Sequence, residues 1–239
     1  MKNIKGVSII LMKGYKSKSR IKLNLSNQKR LVRALVSDIY KTVIESQHSN
    51  SWDSVIATPN PYLSDYCKKN NMKILHLKKG ELNSIFNQIQ NWAVKSNYDA
   101  CILLAGDIPL VQKSLIDKIK DILYDDVKTK GKSLVICPSK RKGISILAMA
   151  PSNLVRIREQ KGTANCELFR RELGDAFQYT TISDVGSYLD IDESEDLWEV
   201  LMLMERNPAY NGSTVKVVLR EILAMNLNNK LKEKQHNKL

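Results

Sequence analysis

The feature that most constrains this chain is a regular exchange between two hydrophobic patterns. Short runs rich in Val, Ile and Leu alternate with longer stretches whose apolar residues recur every third or fourth position. The short runs lie at 6–12, 54–58, 73–77 and 100–104, the last being the most apolar. Each reads as a buried strand. Over 27–46, Leu31, Leu35, Ile39 and Val43 return every fourth residue, with Ser26 or Asn27 as the cap of a helix. Further helices are expected over 62–70, 80–95 and 113–124. Strand, helix, strand, helix at this spacing predicts βαβ units and a parallel sheet. Residues 6–137 are expected to form an open, doubly wound α/β sheet, which binds ligands at the carboxyl ends of its strands.

The second part is mixed. Strands are expected at 133–137 and 144–150, joined by a basic turn. The stretch Gly162-Thr163-Ala164-Asn165 leads to a helix near 166–173, and short strands follow at 179–182 and 188–189. Ser194 is the expected cap of a helix to about 205, with Glu195 and Asp196 in its first turn. Val215, Val218, Leu219, Ile222 and Leu223 mark a last amphipathic helix. The expected organisation is one domain over 1–210, a C-terminal helix over 211–229 and a disordered basic tail over 230–239.

Charge narrows the partners. The 239 residues carry 38 Lys plus Arg against 25 Asp plus Glu, a net charge of +13, which suits a polyanion. Aromatic residues are only 6% of the chain, and none form a stripe interleaved with basic residues. Nucleic acid is therefore not the expected partner; a nucleotide or phosphorylated metabolite is. No apolar run approaches a membrane span, and no secretory leader is evident, so a cytoplasmic protein is expected. Cys67, Cys101, Cys137 and Cys166 are widely spaced, as are the three histidines, which argues against a Cys/His metal site.

Three segments carry candidate chemistry. Lys13, Lys16, Lys18 and Arg20 fall in the loop after the first strand, where backbone N–H groups and cations can wrap a triphosphate. The loop is not a Walker P-loop, because Gly-x-x-x-x-Gly-Lys-Ser/Thr is absent. Asp107 follows the most apolar strand, a good place for a ligand to a hard cation. Asp190 and Asp192 would share one face if 188–192 is extended, and paired carboxylates suit Mg²⁺ beside substrate phosphates. Together these parts describe Mg²⁺-dependent attack of a second anion on the α-phosphorus of a nucleoside triphosphate.

The ordered set resembles the 2-phospho-L-lactate guanylyltransferase family, also met as phosphoenolpyruvate guanylyltransferases, of coenzyme F-420 biosynthesis. Met12-Lys13-Gly14 and Lys18-Ser19-Arg20-Ile21 resemble its first-loop segment, and Gly80-Glu81-Leu82-Asn83 its Gly-Leu-Asn segment. Ala105-Gly106-Asp107-Ile108-Pro109-Leu110 resembles its Ala-Asp-Leu-Pro-Leu motif. Leu189-Asp190-Ile191-Asp192-Glu193-Ser194-Glu195-Asp196-Leu197 resembles its Leu-Asp-Ile-Asp-Thr-Pro-Glu-Asp-Leu segment. The resemblance spans about 6–201 and implies a three-layer Rossmann-like nucleotidyltransferase fold: a mostly parallel central sheet with helices on both faces. It implies transfer of GMP from GTP to 2-phospho-L-lactate or phosphoenolpyruvate with release of pyrophosphate, Mg²⁺ dependence and a homodimer.

By the same resemblance, Asp107, Asp190 and Asp192 hold the metal. Lys13, Lys18 and Arg20 meet the triphosphate, Lys18, Arg20 and Asp107 are catalytic, and Thr58 and Asn83 lie near the nucleotide. Ser145, Gly162 and Asn165 fall to the acceptor. Two departures lie on that side. The family's Gly-Gly-Thr-Asn-Ala-Leu reads Lys142-Gly143-Ile144-Ser145-Ile146-Leu147, leaving Ser145 to supply a hydroxyl. Its Gly-Pro-Gly-Ser reads Gly162-Thr163-Ala164-Asn165. A related nucleotidyltransferase with a molybdopterin or sugar-phosphate acceptor, and a non-catalytic nucleotide- or nucleic-acid-binding protein, are the alternatives.

Overall fold

The computed structural model describes residues 4–14, 21–46, 51–156, 166–174, 177–210 and 213–236, of which 168 and 226–236 are described by their backbone alone. Its strands are β1 (Gly6–Leu11), β2 (Trp52–Thr58), β3 (Ile74–His76), β4 (Ala100–Ala105), β5 (Ser133–Pro138), β6 (Ile144–Ala150) and β7 (Thr180–Thr181). They form a 7-stranded sheet in the order β3-β2-β1-β4-β6-β5-β7. Every pairing is parallel except those of β6, which runs antiparallel to β4 and β5. The chain order turns round between β1 and β4, so the carboxyl ends of those two strands frame the switch point where such sheets bind ligands.

The helices are α1 (Leu25–Ile44), α2 (Pro61–Lys69), α3 (Leu82–Lys95), α4 (Lys113–Lys130), α5 (Cys166–Leu173), α6 (Val185–Tyr188), α7 (Ser194–Arg206) and α8 (Thr214–His236). Strand alternation divides the core in two. Ile102 and Leu104 of β4 pack with residues of α1, α2, α4, α7 and α8; Cys101 and Leu103 face α3 and α5. A strand buried on both faces must be apolar throughout, which is why β4 reads as an unbroken run. The fold is the expected three-layer α/β arrangement. All four cysteines are buried and free. Among the described residues, no helix is long and apolar enough to cross a membrane.

Several boundaries differ from expectation for local reasons. Asn24, rather than Ser26 or Asn27, caps α1, accepting the Asn27 N–H at 2.9 Å. Residues 188–189 are not a strand: Asp184 accepts the Gly186 N–H at 2.7 Å and starts α6. Glu193, rather than Ser194, is the cap residue of α7, and its N–H is held by the Asp196 carboxylate at 2.8 Å. The last helix continues to His236, through most of the expected disordered tail, since Lys, Glu and Gln are good helix formers. Its start is fixed by α1: Asp38 accepts from the Ser213 hydroxyl at 2.7 Å and the Val215 N–H at 2.8 Å. Lys216 donates to the Met204 carbonyl at 2.8 Å in the last turn of α7. α8 thus packs on α1 and α7 of its own domain.

One charged group sits deep in the opposite end of the molecule from the switch point. Lys120 of α4 is 3% exposed, bonds the Ser46 hydroxyl and lies 5.1 Å from the ring of Trp52, the first residue of β2. Burial pushes its pKa down to about 8, against a smaller upward effect of Asp117.

Candidate active site

Two loops meet where β1 and β4 end. The Gly106 N–H donates to the Leu11 carbonyl at 2.9 Å. A Cβ on Gly106 would lie 2.8 Å from that oxygen and 2.6 Å from Met12 Cε, so glycine is what lets the β4 loop close on β1. Asp107, half-buried, follows Gly106; Lys13, exposed, follows Met12. Both residues therefore leave the sheet at the same switch point.

The second acidic segment is joined to the first by one backbone bond. The Ile191 N–H donates to the Asp107 carbonyl at 2.9 Å, and Ile191 is fully buried. Asp190 and Asp192 flank it, so the three aspartates singled out in the sequence gather around this bond. The segment is irregular chain after α6, not the expected strand, and α6 sets its position. A Cβ on Gly186 would come within 2.4 Å of the Leu110 carbonyl oxygen, which also accepts from the Tyr210 hydroxyl at 3.1 Å. Because the clash is with backbone, Gly186→Ala is expected to lower the unfolding free energy by about 1–3 kcal/mol and to reduce turnover by shifting Asp190. An unaltered urea midpoint would show that α6 slides freely.

The electrostatics agree with this grouping. Burial first, then the negative charges of Asp107 and Asp192, raise the pKa of Asp190 to about 6. The Arg141 guanidinium, 3.4 Å from Asp190 Oδ1, opposes that rise. Asp196 shows the reverse balance. Burial alone would raise its pKa, but N–H bonds from Asp192 and Glu193 and the Arg141 guanidinium hold it below the usual carboxylate range. Arg141 was visible in the sequence only as part of a basic run; its partners lie some fifty residues on, which no local pattern reveals.

The other sequence candidates divide. Thr58 is buried at the end of β2, and its hydroxyl accepts the Asn60 N–H at 3.1 Å. Asn60 in turn caps α2 through the Leu63 N–H at 3.1 Å, so Thr58 shapes the loop after β2. Asn83 lies in the first turn of α3. Ser145 is the residue skipped where the pairing shifts from Cys137↔Ile146 to Pro138↔Ile144, and its buried hydroxyl donates to the Cys137 carbonyl at 2.9 Å. The β-bulge turns this side chain back onto its own ladder. Lys18, Arg20, Gly162 and Asn165 lie outside the described residues, as does Lys16.

A hard divalent cation fits the donor set. The carboxylates offer oxygen only, and their mutual crowding at Asp190 is what a dication relieves. Among the described residues, no three His, Cys, Asp or Glu side chains already form a metal cage. Mg²⁺ does not need one, since it takes one or two carboxylates and completes its shell with water and substrate phosphates.

The sequence profile of the family described as "Guanylyl transferase CofC like" matches residues 7–224. The chain belongs to that family. The match extends past 201 and reaches residue 224, so the first half of α8 belongs to the family's chain. As a CofC-like guanylyltransferase, the protein is a nucleotidyltransferase, and solved structures show the same fold. A candidate nucleotide-diphospho-sugar transferase from Desulfovibrio desulfuricans is 17% identical, with a TM-score of 0.73 over 93% of this chain and 96% of that one. A cytidylyltransferase from Leptospira borgpetersenii is 15% identical, with a TM-score of 0.58 over 95% and 96%. A Mycobacterium tuberculosis protein in complex with manganese is 11% identical, with a TM-score of 0.50 over 83% and 98%. At these identities the likeness is one of fold.

Proposed function

We propose that this CofC-like enzyme transfers GMP from GTP to a small phosphorylated carboxylic acid, 2-phospho-L-lactate or phosphoenolpyruvate, and releases pyrophosphate, in coenzyme F-420 biosynthesis. The observation that carries the reading is the Ile191–Asp107 backbone bond, which gathers two distant acidic segments beside the Lys13 loop. An oxygen of the acceptor's phosphate attacks the α-phosphorus of GTP. The bond from that phosphorus to the β-bridging oxygen breaks, and pyrophosphate departs with the electron pair. No protein nucleophile takes part; the chain supplies position and charge. Lys13, with Lys18 and Arg20, is assigned to the triphosphate. Asp107, Asp190 and Asp192 would hold Mg²⁺, which offsets charge on the phosphates. The manganese complex of the M. tuberculosis fold relative supports a divalent cation in this role.

The acceptor side is assigned to cations and backbone. The Ser145 hydroxyl donates to the Cys137 carbonyl, so what it offers an acceptor is a lone pair and not its proton. Lys142 is exposed at the turn between β5 and β6, and its carbonyl is tied to the Cys166 N–H at 2.8 Å, at the end of the stretch holding Gly162 and Asn165. A lysine there, with those two residues, suits a ligand carrying both phosphate and carboxylate.

The test is pyrophosphate release with GTP, Mg²⁺ and each acid in turn, with ATP and CTP as controls. Release with GTP and one acid is expected. Silence with both acids, alongside Mg²⁺-dependent GTP binding, would move the reading to another acceptor. Equal rates with ATP or CTP would remove the guanylyl assignment.

A further inference from the structure

The basic turn between β5 and β6 is fastened on three sides. The Ser139 N–H donates to the Gly143 carbonyl at 2.9 Å, and the Lys140 N–H donates to the Tyr188 carbonyl at 2.8 Å, at the end of α6. The Lys142 carbonyl accepts the Cys166 N–H at 2.8 Å, and Lys142 itself is held in the left-handed region at φ 60°. A turn braced in this way fixes where its central residue, Arg141, projects.

The contacts of Arg141 are unequal. Its guanidinium grips Asp196 with Nη2 at 3.0 and 2.8 Å from the two carboxylate oxygens. It reaches Asp190 Oδ1 once, at 3.4 Å, and lies 3.5 Å from Glu193 Oε2. Asp196 is 2% exposed and also accepts the N–H groups of Asp192 and Glu193 at 2.9 and 2.8 Å. One buried carboxylate therefore ties Arg141 to the backbone that carries Asp190 and Asp192. Lys140 adds a second cation, 3.6 Å from Asp196 and paired with Glu199.

We propose that Arg141 is a positioning residue: anchored on Asp196, it holds Asp190 ready for a divalent cation and gives up that single contact when the cation arrives. The inference rests on reading Asp107, Asp190 and Asp192 as the metal carboxylates. Three like charges around one backbone bond repel one another, and a fixed guanidinium offsets that repulsion while no cation is present. Releasing Asp190 leaves Arg141 paired with Asp196 and Glu193, so no bare buried charge results. Lysine cannot reproduce the arrangement, because it offers a point charge and not a planar fork of donors. The geometry thus separates a permanent bond, to Asp196, from an exchangeable one, to Asp190.

The test is a titration of the full chain with Mn²⁺ alone, following the paramagnetic resonance signal of the free ion, beside thermal unfolding of the metal-free protein. Arg141→Gln is expected to weaken Mn²⁺ binding about tenfold, as loss of an outer partner of a metal ligand typically does. Arg141→Lys is expected to recover part of that loss. Raised Mg²⁺ is expected to bring kcat of Arg141→Gln back toward the wild-type value. Mn²⁺ binding by a folded Arg141→Gln chain within twofold of wild type, or tighter, would overturn the inference and leave the metal reading standing. If Arg141→Gln fails to fold, Arg141→Lys decides: a loss of threefold or more supports the inference, and an unchanged affinity overturns it. A wild-type chain that takes up no Mn²⁺ would remove the metal reading and this inference with it.

Discussion

Asp107→Asn is expected to lower pyrophosphate release by about a hundred- to a thousandfold without changing the thermal midpoint by more than a degree or two. The expectation follows from what the residue does with its two ends. Its backbone carbonyl accepts the Ile191 N–H and joins the acidic segments, and asparagine keeps that bond. Its carboxylate contributes charge, and asparagine loses it. The pKa of Asp190 should then fall below about 6, because one of the two like charges raising it is gone. Activity near wild type would remove Asp107 from the metal site. A large drop in stability would show instead that its side chain carries part of the fold.

Lys120→Met is expected to raise stability by about 3 kcal/mol at pH 7, taking about 1.4 kcal/mol per unit of pKa shift. The folded pKa is depressed from 10.5 to about 8, so the folded chain must hold an ammonium in a place that disfavours it. Below about 8 that penalty is present in full. Between about 8 and 10.5 the unfolded chain binds more protons than the folded one, and wild-type stability rises with pH. Above 10.5 the penalty is gone. The advantage of Lys120→Met should therefore be greatest at neutral pH and fade through that window. Methionine fills a similar volume, and Ser46 keeps its bond to the Val43 carbonyl at 2.9 Å. Urea unfolding of both chains at pH 7 and at pH 10 checks the sign; a constant gap would mean that Lys120 is solvated.

Much of the architecture was legible because parallel strands buried on both faces are written as continuous apolar runs. β1, β2 and β4 stand close to where 6–12, 54–58 and 100–104 placed them. The strands over 133–137 and 144–150 are also in place, and their antiparallel pairing, for which no expectation was stated, suits a connection too short for a crossover. What escaped was structure decided by a partner far along the chain. Val185-Gly186-Ser187-Tyr188 is four residues long and half apolar, and nothing within it shows that Asp184 will cap a helix or that Gly186 will lie on Leu110. The bulge that turns Ser145 inward is set by its pairing with β5, not by its own run. The residue types and the family resemblance both singled out Asp107, Asp190 and Asp192, and the Ile191–Asp107 bond brings together the segments that carry them. Neither revealed Arg141, whose meaning comes from Asp196. In the sequence Gly106 stands only as one residue of the Ala105–Leu110 motif, although it governs how closely β4 approaches β1.

The tie between the first helix and the last has a consequence for how the protein is made. Asp38 leaves the ribosome 175 residues before Ser213, the hydroxyl it binds. At about 5–20 residues per second, that separation is a wait of roughly 9–35 s. Throughout that interval the flank of α1 destined for α8 has no covering from its own chain, and by its end the sheet beneath has all its strands, β2 to β7 having been made in the meantime. Of the elements described, α8 is the last to emerge, and its apolar residues close the larger core. A nascent chain stalled before residue 214 would carry the whole acidic cluster and still present an open apolar face to whatever in the cell guards such surfaces.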